Sequence, residues 1–195
     1  MLMIINHCRL EPWQQNILSM IRDESIYYRP QGMTKVLNEG WASYWDSFIM
    51  ATCNFAGDDG IFDYAKHHAG VLGGKYNMNN PYKLGNTLLR DIEDRWNKGK
   101  FGKEYENCDN GEEKRYWNKN LNLGREKIFE VRENYNDVTF LNEFFTKDFC
   151  EKHEYFEYAL DKSTNKYVVI SKDYKAIKQK LVNRHVNMGL PVIYM

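Results

Sequence analysis

Two carboxylates and a histidine set the chemical question in this sequence. Glu39 and Asp46 fall in the stretch Asn38-Glu39-Gly40-Trp41-Ala42-Ser43-Tyr44-Trp45-Asp46, and His68 follows in the pair His67-His68. On a helix, at about 100° per residue, Glu39, Ser43, Asp46 and Met50 share one face. Trp41, Tyr44, Trp45, Phe48 and Thr52 cover the opposite side. Carboxylate and imidazole groups can hold a divalent metal ion such as zinc, and a carboxylate beside the ion can act as general base. Spacing limits that idea. At 1.5 Å per residue, Glu39 and Asp46 stand about 10.5 Å apart along the axis, so they flank a site more easily than they share an ion. A solvated face on an amphipathic helix accounts for the same two acids, and both readings stay open at this point. Adjacent histidines on a helix point about 100° apart, so only one of His67 and His68 faces any given site. A structural, hydrogen-bonded histidine is the ordinary alternative. No phosphate-cradling glycine loop, His-Glu-x-x-His or Gly-x-Ser-x-Gly element is present. The run Arg90-Asp91-Ile92-Glu93-Asp94-Arg95 reads as a solvated charged face.

The elements that must position these residues are mainly helical. Pro12 suits the first turn of a helix, which continues with Trp13, Ile17, Met20 or Ile21, and Tyr28, and ends at Pro30-Gln31-Gly32. A longer helix is predicted from about Thr34 to Phe55, its apolar positions being Leu37, Trp41, Trp45, Phe48 and Thr52. Gly57-Asp58-Asp59-Gly60 reads as a loop, Ile61 to Ala69 as a short helix, and Gly70 to Asn80 as a second loop. Pro81 opens a helix in which Leu84, Leu88, Ile92 and Trp96 form a stripe. Lys98 to Asn122 is an exposed connection with a short helix near Glu112 to Asn118. Helical patterns resume at Arg125–Glu133, Thr139–Phe145 and Lys147–His153. Aromatic and β-branched residues then flank Asp161-Lys162-Ser163-Thr164-Asn165, which predicts a hairpin over 154–170. Asp173 caps a helix to about Arg184, with Ile177 and Leu181 facing an apolar sheet. Leu190 to Met195 reads as a strand, with Pro191 placing it at an edge. The fold class is α+β: a helical region over 1–153 followed by a small, truncated ββαβ unit over 154–195.

Composition narrows the function classes. Twenty-seven basic and twenty-seven acidic residues cancel, which argues against a nucleic-acid binder that works by bulk phosphate neutralisation. A mean hydropathy of −0.71 and the lack of a long apolar run argue against membrane insertion. The first residues, Met1 to Cys8, lack a charged n-region and do not read as a signal peptide, so a cytoplasmic location is expected. The four cysteines, at 8, 53, 108 and 150, have no close Cys-x-x-Cys spacing and read as free thiols.

Trp13-Gln14-Gln15-Asn16-Ile17-Leu18-Ser19-Met20-Ile21-Arg22 and Lys35-Val36-Leu37-Asn38-Glu39-Gly40-Trp41-Ala42-Ser43-Tyr44-Trp45 resemble the SpoVR family, the stage V sporulation protein R family. Asn80-Pro81-Tyr82-Lys83-Leu84-Gly85 is similar to its Asn-Pro-Tyr-x-Leu-Gly box. Arg90-Asp91-Ile92-Glu93-Asp94-Arg95-Trp96 follows as in spore-forming Firmicutes. Phe129-Glu130-Val131-Arg132-Glu133 and Val186-Asn187-Met188-Gly189-Leu190-Pro191 also fit. The likeness covers essentially the whole chain. It implies a role in forming the spore cortex, either as a metal-dependent hydrolase or as a non-enzymatic regulatory or scaffolding protein beside a kinase-pathway partner. It also implies Glu39 as ligand or general base, Asp46 and His68 as further metal ligands, and Asn38, Gly40 and Trp41 as supporting residues. Asp46 stands where the family usually has histidine, and His68 falls on a Ser-His-Thr-like position. The family is longer and carries an N-terminal His-Ala-x-x-Gly-His-Asn segment, half of a metal site by its look, that this sequence lacks. The chain is therefore expected to be a middle-to-late portion that partners a missing N-terminal region.

Overall fold

The computed structural model describes residues 1–53, 55, 57–74 and 78–186. Its elements, in chain order, are α1 (Leu2–His7), α2 (Pro12–Met33), α3 (Lys35–Cys53), α4 (Gly57–Val71), α5 (Pro81–Lys98), α6 (Gly102–Glu106), α7 (Gly111–Tyr116), α8 (Gly124–Asn134), α9 (Asp137–Phe144), α10 (Lys147–Lys152), β1 (Glu157–Asp161), β2 (Lys166–Ser171) and α11 (Tyr174–His185). The class is α+β, as expected. The strand expected over 190–194 lies outside the described residues.

The core is built on α5. Asn80 caps this helix by accepting the N–H groups of Tyr82 and Lys83, Pro81 occupies the first turn, and Gly99 closes it in the left-handed conformation. Leu84, Leu88, Leu89 and Ile92 are buried, and α3 and α8 pack against them. Burial of side chains of this size stabilises by about 1.5–3 kcal/mol each. Behind them, Phe140, Leu141, Phe144, Phe145 and Phe149 fill the space between α9, α10 and α5. All four cysteines are free, and Cys150 is buried, its thiol donating to the Tyr155 carbonyl at 3.0 Å.

Three features depart from the sequence reading. Helix α2 does not end at Pro30 but runs through it to Met33; Pro30 lacks an N–H, and one intrahelical bond is lost there. The expected loop at 57–60 is the first turn of α4. The third departure concerns α3, whose aromatic stripe was expected to face the core. Its buried residues are instead Val36, Leu37, Gly40, Ser43, Tyr44 and Ser47. Trp41 and Trp45 are only half-buried, and Phe48 is exposed.

At the C-terminal end, α11 does not use the sheet as cover. Its Ile177, Leu181 and Val182 join the same core as the helices, packing on α9 and α10. The hairpin formed by β1 and β2 is an antiparallel pair with a bulge at Glu157/Tyr158. Its turn is fixed by the Asp161 carboxylate, which accepts from Ser163 and Thr164. On β2, Tyr167, Val168, Val169 and Ile170 are all exposed. A two-stranded sheet with little cover is marginal in water. Amides of Val168 to Ile170 are therefore expected to exchange at least about a hundredfold faster than those of Ala42 to Phe48. Equal protection of the two segments, measured by native-state hydrogen exchange, would contradict this.

Candidate functional site

The two boxes singled out in the sequence meet where α3 crosses α5. Gly40 and Gly85 are both buried at the crossing, and a methyl group on Gly40 would come within 2.4 Å of the Gly85 Cα. Only residues without a side chain allow backbones this close. Around the contact, Ser43 Oγ donates to the Gly40 carbonyl at 3.1 Å, and Asn86 Nδ2 donates to Ser43 Oγ at 3.3 Å. Arg90 donates to Ser47 Oγ at 2.7 Å. Gly40 is thus a packing residue. Asn38 donates to Oγ1 of Thr34, the residue just before α3, at 3.0 Å. Trp41 stacks edge-on with Trp45 and with Phe129 of α8, at ring separations of 5.6 and 5.1 Å.

Glu39 is half-buried and accepts the Tyr82 hydroxyl, a bond that raises the Tyr82 pKa. The tyrosine of the Asn-Pro-Tyr box therefore anchors the carboxylate of the first box. Asn80 holds the approach in place, because its Nδ2 donates to the carbonyls of Val71 at 2.8 Å and Gly73 at 3.3 Å. One side chain thus caps α5 and ties it to the end of α4.

Asp46 and His68 come together further along α3. His68 Nδ1 lies 3.6 Å from Asp46 Oδ2. Tyr64 bridges them: its hydroxyl donates to Asp46 Oδ2 at 2.8 Å and sits 3.4 Å from His68 Nδ1. The rings of Tyr64 and His68 stack at 5.5 Å. Burial first, and the bond to Asp46 second, push the Tyr64 pKa up to about 12. The His68 side chain is 16% exposed and that of Asp46 55%, so the cluster opens to solvent on the Asp46 side. His67 is exposed on the other face of α4, beside Asp63 and Lys66. Of the expected trio, then, Asp46 and His68 converge while Glu39 is engaged separately by Tyr82. Among the described residues, no three His, Cys, Asp or Glu side chains are grouped as a metal site. Tyr64 escaped the sequence reading. Its position four residues before His68 on one helix is the signal that could have found it.

The aromatic flank of α3 has its own electrostatics. The Arg125 guanidinium of α8 lies 4.8 Å from the Trp45 ring and 4.5 Å from that of Phe48. It also pairs with Glu93 at 3.1 Å, and Glu93 accepts the Tyr44 hydroxyl at 2.5 Å. Burial and that bond raise the Tyr44 pKa. Arg125 and Glu93 thus join α8 and α5 to the aromatic side of α3. No described helix is long and apolar enough to cross a membrane.

The profile of the family described as SpoVR like protein matches residues 1–190. The chain is also similar to an Escherichia coli (strain K12) protein described as "Uncharacterized protein YcgB". The two are 26% identical over 196 residues, a match that covers 90% of this chain and 35% of the relative. The chain thus spans about a third of that relative's length. No solved structure matches.

Proposed function

Because the chain belongs to the SpoVR-like protein family, we propose that it serves formation of the spore cortex, the peptidoglycan layer of the endospore, as part of a larger metal-dependent hydrolase in the cytoplasm. The observation that carries this reading is the convergence of Asp46 and His68 between α3 and α4, on a side left open to solvent. Carboxylate and imidazole suit a borderline ion such as zinc, whose sites take three or four protein ligands. The pair supplies two of them, and the remaining donors come from outside the described residues. A bound ion would supply an acidified water for hydrolysis. Asp46 and His68 would hold the ion, and Tyr64, which donates to Asp46, would fix their approach. Glu39 flanks the site about 10 Å along α3, held by the Tyr82 phenol, and would serve as a further ligand or as general base only where the remaining donors and substrate bring it within proton-transfer reach.

A non-enzymatic, scaffolding role in the same process has an observation of its own. Helix α2 is 22 residues long and has no buried residue, yet it carries Trp13, Ile17, Met20 and Ile21. An apolar side left uncovered on this scale marks a docking surface, either for the rest of the family protein or for a kinase-pathway partner.

Metal binding separates the two readings. The isolated 195-residue chain is expected to bind zinc more weakly than micromolar and to lack hydrolase activity. A carefully purified full-length relative should carry about one ion per chain by elemental analysis, lost when the residues matching Asp46 and His68 are changed to alanine. A full-length relative without metal leaves the scaffold. Micromolar or tighter zinc binding by the isolated chain, abolished by Glu39→Ala, means that the described site is complete and Glu39 a ligand.

A further inference from the structure

A second concavity lies on the far side of α5, between its C-terminal half, the segment 100–106 and the α9–α10 corner. It encloses about 500 Å³, within the range of small-ligand sites. Its wall is aromatic. Trp96 stacks on Phe101 at 5.0 Å and nearly parallel, and Phe144 meets Trp96 edge-on at 5.8 Å. Carboxylates outnumber cations around it, five to three.

At its base Asp91 is held in an unfinished arrangement. The side chain is 8% exposed, and its Oδ2 has no aligned hydrogen-bond donor. Arg95 Nε sits 2.8 Å away but makes no hydrogen bond of acceptable geometry, while Arg95 Nη2 is directed to the Phe144 carbonyl at 3.3 Å. Among the described residues the other oxygen has only Lys152, at 3.5 Å, and that lysine is 56% exposed. A buried carboxylate that lacks aligned donors costs free energy that a donor from a ligand would recover. Asp148 and Glu106 line the same cleft, and neither has an ion-pair partner among the described residues. Asp148 also adds to the negative field at Tyr105.

We infer that this cleft is a binding site for a ligand presenting a primary ammonium group on an aliphatic stem, the chemistry of a lysine side chain or a free diamine. An ammonium carries three donors, enough for the underbonded Asp91 and a rim carboxylate together. The Trp96 and Phe101 rings give the stem apolar contact, while Lys127 and Arg95 already lie over Trp96 at 5.2 and 5.5 Å. An anionic ligand fits less well, because Arg95 and Lys152 already face Asp91 and only Lys100 remains. The inference stands apart from the Asp46–His68 site and from the cortex reading.

Calorimetric titration of the 195-residue chain with cadaverine, with N-acetyl-lysine methylamide and with sodium acetate tests it. Nuclear magnetic resonance shifts of the Trp96 indole N–H locate the site. Saturable binding of at least one amine is expected, with Trp96 shifted and acetate without effect. Asp148→Asn combined with Glu106→Gln should weaken the amine at least tenfold while leaving the melting temperature unchanged, since both side chains are exposed. Tighter binding of the lysine derivative assigns the ammonium to a polypeptide, and tighter binding of the diamine to a free small molecule. Binding of neither amine, preference for acetate, or amine binding indifferent to the double variant would each overturn the site.

Discussion

Gly85→Ala is expected to destabilise the protein by about 2–4 kcal/mol, although alanine is the better helix former. The added methyl group would stand 2.2 Å from the Val36 carbonyl oxygen and 2.6 Å from the Gly40 Cα. Every one of those neighbours is backbone, so no side chain can rotate away. The helices must move apart instead, and separation opens space beside Leu37, Leu84 and Leu88, all at 0–1% exposure. Against that stands a gain of about 1 kcal/mol in helix propensity, too small to offset the loss. Gly40→Ala should behave alike, because its methyl meets Gly85 and the Asn86 nitrogen within 2.9 Å. Gly70→Ala in α4 is the control, since nothing lies within 4 Å of its added carbon. It should leave stability within about 1 kcal/mol of the wild type or raise it. Urea midpoints of the three variants decide the matter, and identical midpoints for Gly85→Ala and Gly70→Ala would sink the argument. The effect reaches the site, because the same crossing brings Tyr82 to Glu39.

That crossing also explains what sequence reasoning could and could not see. Helix α5 was legible because its signals are local: Pro81 at the start and the stripe of Leu84, Leu88, Ile92 and Trp96 within. The hairpin was legible from its aromatic and β-branched flanks around a turn. The face of α3 was not. Its core side is built from Gly40, Ser43 and Ser47, whose small size permits close packing but leaves no mark in hydropathy, while the conspicuous tryptophans pack at the flank with Phe129. Helix α2 shows the converse. Its periodicity identified an apolar side, but periodicity carries no information about what covers that side. At the site, the helical rise sets Glu39 and Asp46 about 10.5 Å apart along α3. The meeting of Asp46 with His68 depends on how α4 returns to α3, which no local pattern encodes. Least legible of all was Asp137, whose partners lie about a hundred residues away in the chain.

Asp137 closes the fold at the start of α3. Its Oδ2 accepts the Val36 N–H at 2.9 Å and its Oδ1 the Leu37 N–H at 3.0 Å, all in a buried setting. A carboxylate there satisfies orphan donors of the first helical turn and faces the positive end of the helix dipole. Asp137→Ala leaves those N–H groups buried and unpaired and should cost about 2–4 kcal/mol. Burial nevertheless outweighs the backbone bonds and pushes the Asp137 pKa up to about 6, from an ordinary value of 3.8. The folded protein therefore binds this proton more tightly than the unfolded chain between pH 3.8 and 6. Stability from this group is fully present below about 3.8 and is lost as the pH rises through about 6. His185, whose Nδ1 lies 3.8 Å from Asp137 Oδ2, works in the opposite sense. Burial, then Arg184, lowers its pKa, so its contribution rises with pH toward 6.5. The two slopes overlap near pH 6, and the wild-type curve alone does not separate them. Asp137→Asn does. It keeps one acceptor oxygen, should cost less than the alanine variant, and removes the titration, so the stability difference between wild type and variant should narrow steadily from pH 4 to pH 7. A difference that stays constant across that range, in urea unfolding at each pH, would show that Asp137 is ionised throughout and that its backbone bonds, not its burial, govern its charge.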